Sequence, residues 1–249
     1  MWSQFGRGAG GRVVDRPDVL RVEAPVDVAP YNAVVRFCGD DASDDAIDDA
    51  LAAYRARGVP PVWIVHPTAT PHGLGRRLAV RGLTAVEPIT GMALDARARH
   101  RVPAPADVVV EPVEDANREE WLDLIALRYR LDASARRAVA SIADAAGIGR
   151  PGGATQAWIA RRAGQVVGKV ALHLAAGVAG VHGLLTRPAV RRTGLGAHLT
   201  SVALDAAVAA GHDTAVLHST PMAVALYRAL GFRPVAGFEL RSDPGALHL

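Results

Sequence analysis

Residues 191–197 read Arg-Arg-Thr-Gly-Leu-Gly-Ala, a composition suited to holding an anion. Glycines at 194 and 196 let the backbone turn tightly, so that successive N–H groups point at one place, and Arg191 and Arg192 supply positive charge beside them. An apolar run ending near Thr186 precedes the loop and a helical pattern starting at Ala197 comes after it, so the positive end of a helix joins the cradle. A phosphate group fits such a place. A Walker A loop is excluded because no Gly-Lys-Ser/Thr follows, and a dinucleotide fingerprint is disfavoured because its third glycine is missing, with Leu199 nearby instead. Taken alone, a Gly-x-Gly is also what an ordinary strand-to-helix turn uses, so its surroundings must decide.

The elements that would position the loop are read from hydrophobic periodicity and glycine punctuation. Residues 107–110 read as a strand, and 117–130 and 134–146 as helices, the first with Trp121, Leu124, Ile125 and Leu127 at helical spacing. Gly147 and Gly149 stop the second helix. Apolar runs at 156–161 and 166–174 form a hairpin about the turn at 162–164, and 178–186 is a third strand. A helix over 197–210 puts Leu199, Val202, Ala203 and Ala206 on one face and ends at Gly211. A buried strand at 214–218, a helix at 222–230 and a strand at 235–241 complete the half.

The loop and its setting resemble the GNAT superfamily of N-acetyltransferases. That family's coenzyme loop, Gln/Arg-x-x-Gly-x-Gly/Ala after a strand, is matched by Arg191, Gly194 and Gly196. Its later helix carries a Tyr four residues before a Gly-Phe pair, matched by Tyr227, Gly231 and Phe232. The resemblance covers residues 107–241. It implies an α/β (α+β) fold with a mixed sheet splayed between its fourth and fifth strands, where the pantetheine arm of acetyl-CoA lies along Leu184, Leu185 and Thr186. Backbone N–H groups of Arg192, Thr193, Gly194, Leu195, Gly196 and Ala197 would bind the pyrophosphate, and no metal is expected. Tyr227 would protonate the departing thiolate. A backbone N–H of 184–186 would hold the carbonyl oxygen. His182 and His218, on strands flanking the cleft, are the candidate bases, with simple packing as the competing reading of each. Ser219 and Thr220 stand where the family often has Asn; their hydroxyls can still hydrogen-bond the coenzyme.

The first half repeats part of this order: a strand at 31–37, a helix at 42–57 ending at Gly58, a strand at 62–65 and a helix at 74–80 ending at Gly82. The match is of element order and punctuation, not of residue identity. It reads as a degenerate GNAT-like domain in a tandem arrangement, over residues 1–98, with a linker and first strand at 99–112 and the catalytic domain at 107–249. Its corresponding loop, Cys38-Gly39-Asp40-Asp41-Ala42-Ser43-Asp44-Asp45, has no Gly-x-Gly and places carboxylates where phosphates would sit. One active site per chain is expected. The aspartates are otherwise read as helix caps and a solvated face.

Composition narrows the class. A formal charge of +3 on 249 residues, with arginines spread among Asp and Glu, argues against a nucleic-acid binder. Lys169 is the only lysine, a bias attributed to a GC-rich coding background, and Cys38 is the only cysteine, which leaves no disulfide framework or Cys-based metal cluster. Residues 1–11 resemble a frayed tail rather than a signal peptide. The most apolar stretch, 170–185, is broken by His173, His182 and three glycines, so a soluble, cytoplasmic protein without membrane attachment is expected. The partner is a small-molecule or peptide amine and the protein a monomer or homodimer; the family selects its amine with variable segments, here chiefly 117–153. The alternatives are a coenzyme-binding sensor without transfer activity, against which Tyr227 speaks, and a scaffold, which would not need the loop at 191–197.

Overall fold

The computed structural model describes residues 2–28, 31–40, 44–150 and 152–246. In chain order its elements are β1 (Arg12–Asp15), β2 (Val19–Glu23), β3 (Ala33–Phe37), α1 (Asp44–Arg55), β4 (Val62–Val65), α2 (Leu74–Val80), β5 (Thr84–Asp95), β6 (Val108–Pro112), α3 (Arg118–Tyr129), α4 (Ala133–Ala145), β7 (Thr155–Arg162), β8 (Gln165–Ala175), β9 (Val178–Thr186), α5 (Leu195–Ala209), β10 (Thr214–Ser219), α6 (Val224–Ala229) and β11 (Arg233–Ser242). They form two compact units that are not consecutive in sequence. The first holds the described residues up to Ile89, Leu131–Ala145, and those from Ala236 on; the second holds Thr90–Arg130 and Ala146–Val235. None of the described helices is long and apolar enough to cross a membrane.

In the first unit the strand order is β1-β2-β3-β4-β11, with β3 and β4 parallel and the other neighbours antiparallel. The helix α1 buries Ile47, Ala50, Leu51 and Tyr54, a stripe at helical spacing, and carries Asp44 and Asp45 at its start and Arg55 at its end, as the helix dipole favours. Its apolar stripe joins Phe37, Trp63, Leu74, Leu78 and Leu83 in one core. Its acidic face is partnered: Arg81, just past α2, meets Asp48 at 2.6 Å and Asp44 at 3.1 Å.

The residues expected to form a frayed tail are folded instead. Trp2–Arg7 is a turn of 3-10 helix leading into β1, and the glycines here serve close packing. A Cβ on Gly8 would fall 2.7 Å from Ile142 of α4, and Ala9 N–H donates to Ser141 Oγ at 2.7 Å.

In the second unit the order is β5-β10-β9-β8-β7-β6. The strand β8 is buried along nearly its whole length, so its apolar residues need not alternate with polar ones. Val170 and Leu172 point to α5, whose Leu195, Leu199, Ala203 and Ala207 complete a core with Val181, Leu217, Tyr227 and Phe232. Lys169, Ala171 and His173 alternate onto the opposite face, which α3 covers. Arg161 of β7 fixes α3 there, donating to Glu111 of β6 at 2.7 Å and forking onto both oxygens of Glu120 at 2.7 Å.

The strands β5 and β11 are exchanged between the halves of the sequence. The end of β5 pairs antiparallel with β10, from Asp95 opposite Thr214 to Thr90 opposite Ser219. The end of β11 pairs antiparallel with β4, from Glu239 opposite Val65 to Ser242 opposite Val62. Each half of the sequence therefore gives the end of the strand after its last helix to the other half's sheet. This differs from the expected division into 1–98 and 107–249. The periodicity of 84–95 is obscured by Pro88 and Gly91, which is why β5 is not evident in the sequence.

Candidate active site

A cleft in the second unit opens between two parallel strands. β9 and β10 pair only where Ala179 faces Ala215 and Gly180 faces Val216; beyond these they diverge. On its other edge β9 stays paired with β8, but with a slip: Lys169 faces Leu185 and Ala171 faces His182, so β9 carries one extra residue. The bulge contains Gly183 at φ 62, a left-handed conformation that glycine adopts without strain. A bulge bends its strand and re-aims the residues beyond it, here Leu184, Leu185 and Thr186, which are half-buried along the open side of β9.

The loop after β9 turns through Pro188–Val190, then through left-handed corners at Arg192 (φ 64) and Gly194 (φ 86). Gly194 is the N-cap of α5, which begins at Leu195 rather than at Ala197 as the sequence pattern suggests. The first backbone bond of the helix runs from His198 N–H to Gly194 O at 3.0 Å, so the N–H groups of Leu195, Gly196 and Ala197 are the unclaimed donors of its first turn. Leu195 turns its side chain into the core, leaving only its backbone at the loop. Gly196 lies against α6, where a Cβ would come within 3.0 Å of Leu226 Cδ1. Arg191, Arg192, Thr193 and Gly194 are exposed, and Thr193 Oγ1 braces the turn by donating to Val190 O at 2.9 Å. Donors, dipole and exposed arginines thus converge at the end of a splayed parallel pair.

Residues 136–243 match the family model described as "Acetyltransferase (GNAT) domain". These residues are similar to a GNAT acetyltransferase domain. Among solved structures the chain is similar to a GCN5-related N-acetyltransferase from Kribbella flavida, at 25% identity over 94% of this chain and 90% of that one, with a TM-score of 0.68. It shares its fold with a tandem GNAT protein from the clavulanic acid biosynthesis pathway, at 16% identity, 90% and 78% coverage and a TM-score of 0.61. It also shares it with a putative GNAT acetyltransferase from Novosphingobium aromaticivorans, at 19% identity, 92% and 89% coverage and a TM-score of 0.56. No curated protein matches by sequence. The mixed-sheet GNAT fold, with tandem relatives, is the fold expected.

Within the second unit Tyr227 lies on α6, buried, its ring edge-on to Phe232 at 5.8 Å. Burial pushes its phenol up to about 12, so it keeps its proton at neutral pH. His218 is exposed on β10, opposite Gly91 of β5. Ser219 is 1% exposed and its hydroxyl donates to Thr220 O at 2.9 Å, so contact with a coenzyme would require that hydroxyl to rotate. His182 lies on the α3 side of β9 with Nε2 buried and unpartnered. Burial first, then the nearby Lys169 and His173, push its imidazole down to about 3. A ring so hard to protonate is a poor general base at neutral pH.

Sequence reasoning assigned no role to three residues that shape this site. Lys169 of β8 is 6% exposed and donates from Nζ to Gly183 O at 2.8 Å, tying the bulge to the neighbouring strand. Burial pushes its ammonium down to about 8. Trp121 of α3 lies over it, with Nζ 5.4 Å from the ring centroid. The signal for Lys169 was available: one lysine in a chain otherwise supplied with arginine. Nothing in the spacing of Gly183 marks it as a bulge.

Proposed function

We propose that the chain is an acetyl-CoA-dependent N-acetyltransferase that acetylates a primary amine at one site per chain, in the second unit. One juxtaposition carries the reading: β9 and β10 part where the orphan N–H groups of α5 gather at Gly194 and Gly196. The loop donors and Arg191 and Arg192 suit a pyrophosphate, and the open edge of 184–186 suits a chain of amides in extended form. Acetyl-CoA supplies a thioester there. A neutral amine forms the new C–N bond as the C–S bond breaks; the amine sheds its proton to solvent, and Tyr227, which holds its proton at neutral pH, returns one to the thiolate. A backbone N–H of the bulged strand stabilises the carbonyl oxygen.

The first half is read as a GNAT-like domain without a coenzyme loop. Of its expected loop, Asp41, Ala42 and Ser43 lie outside the described residues; Asp44 is engaged with Arg81 rather than open to a ligand. Calorimetric titration with acetyl-CoA tests the reading. One site per chain, lost in Gly194→Glu, is expected; a folded wild-type protein that binds none sinks it.

A further inference from the structure

Three buried side-chain nitrogens lie on the α3 side of β8 and β9. Lys169 has one hydrogen bond, to Gly183 O, and lies over Trp121; Trp121 Nε1 and His182 Nε2 are both buried without a hydrogen-bond partner. Trp121, like Lys169, is 6% exposed. A buried ammonium is ordinarily matched by a carboxylate, because removing it from water is costly. None matches Lys169 among the described residues, and burial alone sets its basicity. Buried polar groups left unpaired in this way call for a partner, and an ammonium, an indole N–H and an imidazole in its Nε2–H form together suit an acceptor with several lone pairs.

The ammonium also lies directly beside an exposed residue of β9. Gly183 is exposed and has no side chain, and a Cβ there would stand 3.2 Å from Nζ. The glycine therefore lets the ammonium lie close against the backbone of β9. Gly183 leads directly into Leu184, Leu185 and Thr186, and a strand advances only about 3.3 Å per residue. An anion at Lys169 would lie one or two residues from the place where the thioester is attacked.

We propose that this cluster receives the carboxylate of the acceptor, so that the acetylated amine belongs to an α-amino acid or a comparably short amino-carboxylate. The proposal rests on the acetyl-transfer reading above and names its substrate class. Lys169 and the Nε2–H form of His182 hold the carboxylate, with Trp121 Nε1–H as third donor, and the short spacing brings the amine to the open edge of β9. A polyamine offers nothing to these donors.

The lone lysine makes the test direct. Protein labelled with 13C-lysine gives one ε-carbon resonance, monitored while N-acetylglycine, N-acetyl-L-phenylalanine, their carboxamides and inorganic phosphate are added at constant ionic strength, with and without coenzyme A. A saturable shift with the two carboxylates, absent with the carboxamides and phosphate, is expected. In His182→Leu the half-saturation concentration should rise about tenfold, as for loss of one charge-assisted hydrogen bond. No carboxylate-specific shift, or an equal shift with phosphate, overturns the proposal without use of any variant. Acetyl-CoA titration of the same sample separates the two readings. Normal coenzyme binding without the shift removes the carboxylate site alone, whereas the shift without coenzyme binding keeps the site and removes its role in transfer.

Discussion

Lys169 Nζ and Gly183 O are joined by a 2.8 Å hydrogen bond, so the lysine of β8 holds the bulge that parts β9 from β10. The same lysine weakens the fold at neutral pH. Its ammonium falls to about 8 in the native protein against about 10.5 unfolded, so the unfolded chain holds more protons between those values. Native stability should rise across that window as pH rises. Lys169→Met should be more stable than wild type at pH 7, by about 1–3 kcal/mol. Urea unfolding at a series of pH values checks this; a gap that stays constant from pH 7 to 10.5 would mean the amine is not buried.

His182 should act in the opposite pH range. Its folded value of about 3 lies below the ordinary 6.5, so the unfolded state takes up the proton first and stability falls as pH drops through that interval. In His182→Leu the acid-side loss should be smaller. Acid titrations monitored by circular dichroism decide; identical curves would show that the ring is charged or solvated in the native state.

Tyr227→Phe should lower kcat by about a hundredfold or more, the usual worth of a positioned proton donor, while acetyl-CoA affinity stays within about twofold. Thermal unfolding should change little, because the ring contact with Phe232 survives. Loss of coenzyme affinity with kcat intact would make Tyr227 a packing residue.

At Gly194 the space for a side chain is open, so the constraint is its φ of 86 alone. Gly194→Asn should be tolerated, whereas Gly194→Val forces about 1–2 kcal/mol of left-handed strain, relieved by moving the corner and weakening acetyl-CoA binding by about tenfold. Equal affinities in calorimetry would show that the corner does not shape the site.

The exchanged strands predict how the chain can be cut. A fragment of residues 107–249 lacks Thr90–Asp95 and leaves one edge of β10 bare, so it should aggregate or unfold without cooperativity. Residues 84–249 should recover a cooperative transition in urea; equal behaviour of the two fragments would mean that β5 contributes nothing to the second unit.

The sequence foretold the elements that bear strong periodicity: β4, α2 and β9 fall on the expected residues, and a glycine-bearing loop leads from β9 into α5. What it concealed depends on partners distant in the chain. Pairing of β5 with β10 leaves no local trace, and the packing of Gly8 against Ile142 looks in sequence like a flexible tail. The low basicity of His182 arises from surroundings that only the folded sheet creates.

All but one of the 28 Lys and Arg side chains of this protein are arginine, and the exception is buried in β8. Guanidinium groups remain protonated at any ordinary pH and are not nucleophiles, whereas a lysine in solution always has a small neutral fraction that thioesters acylate. If the site takes an acetyl thioester as proposed above, the protein offers it no exposed lysine amine to acylate.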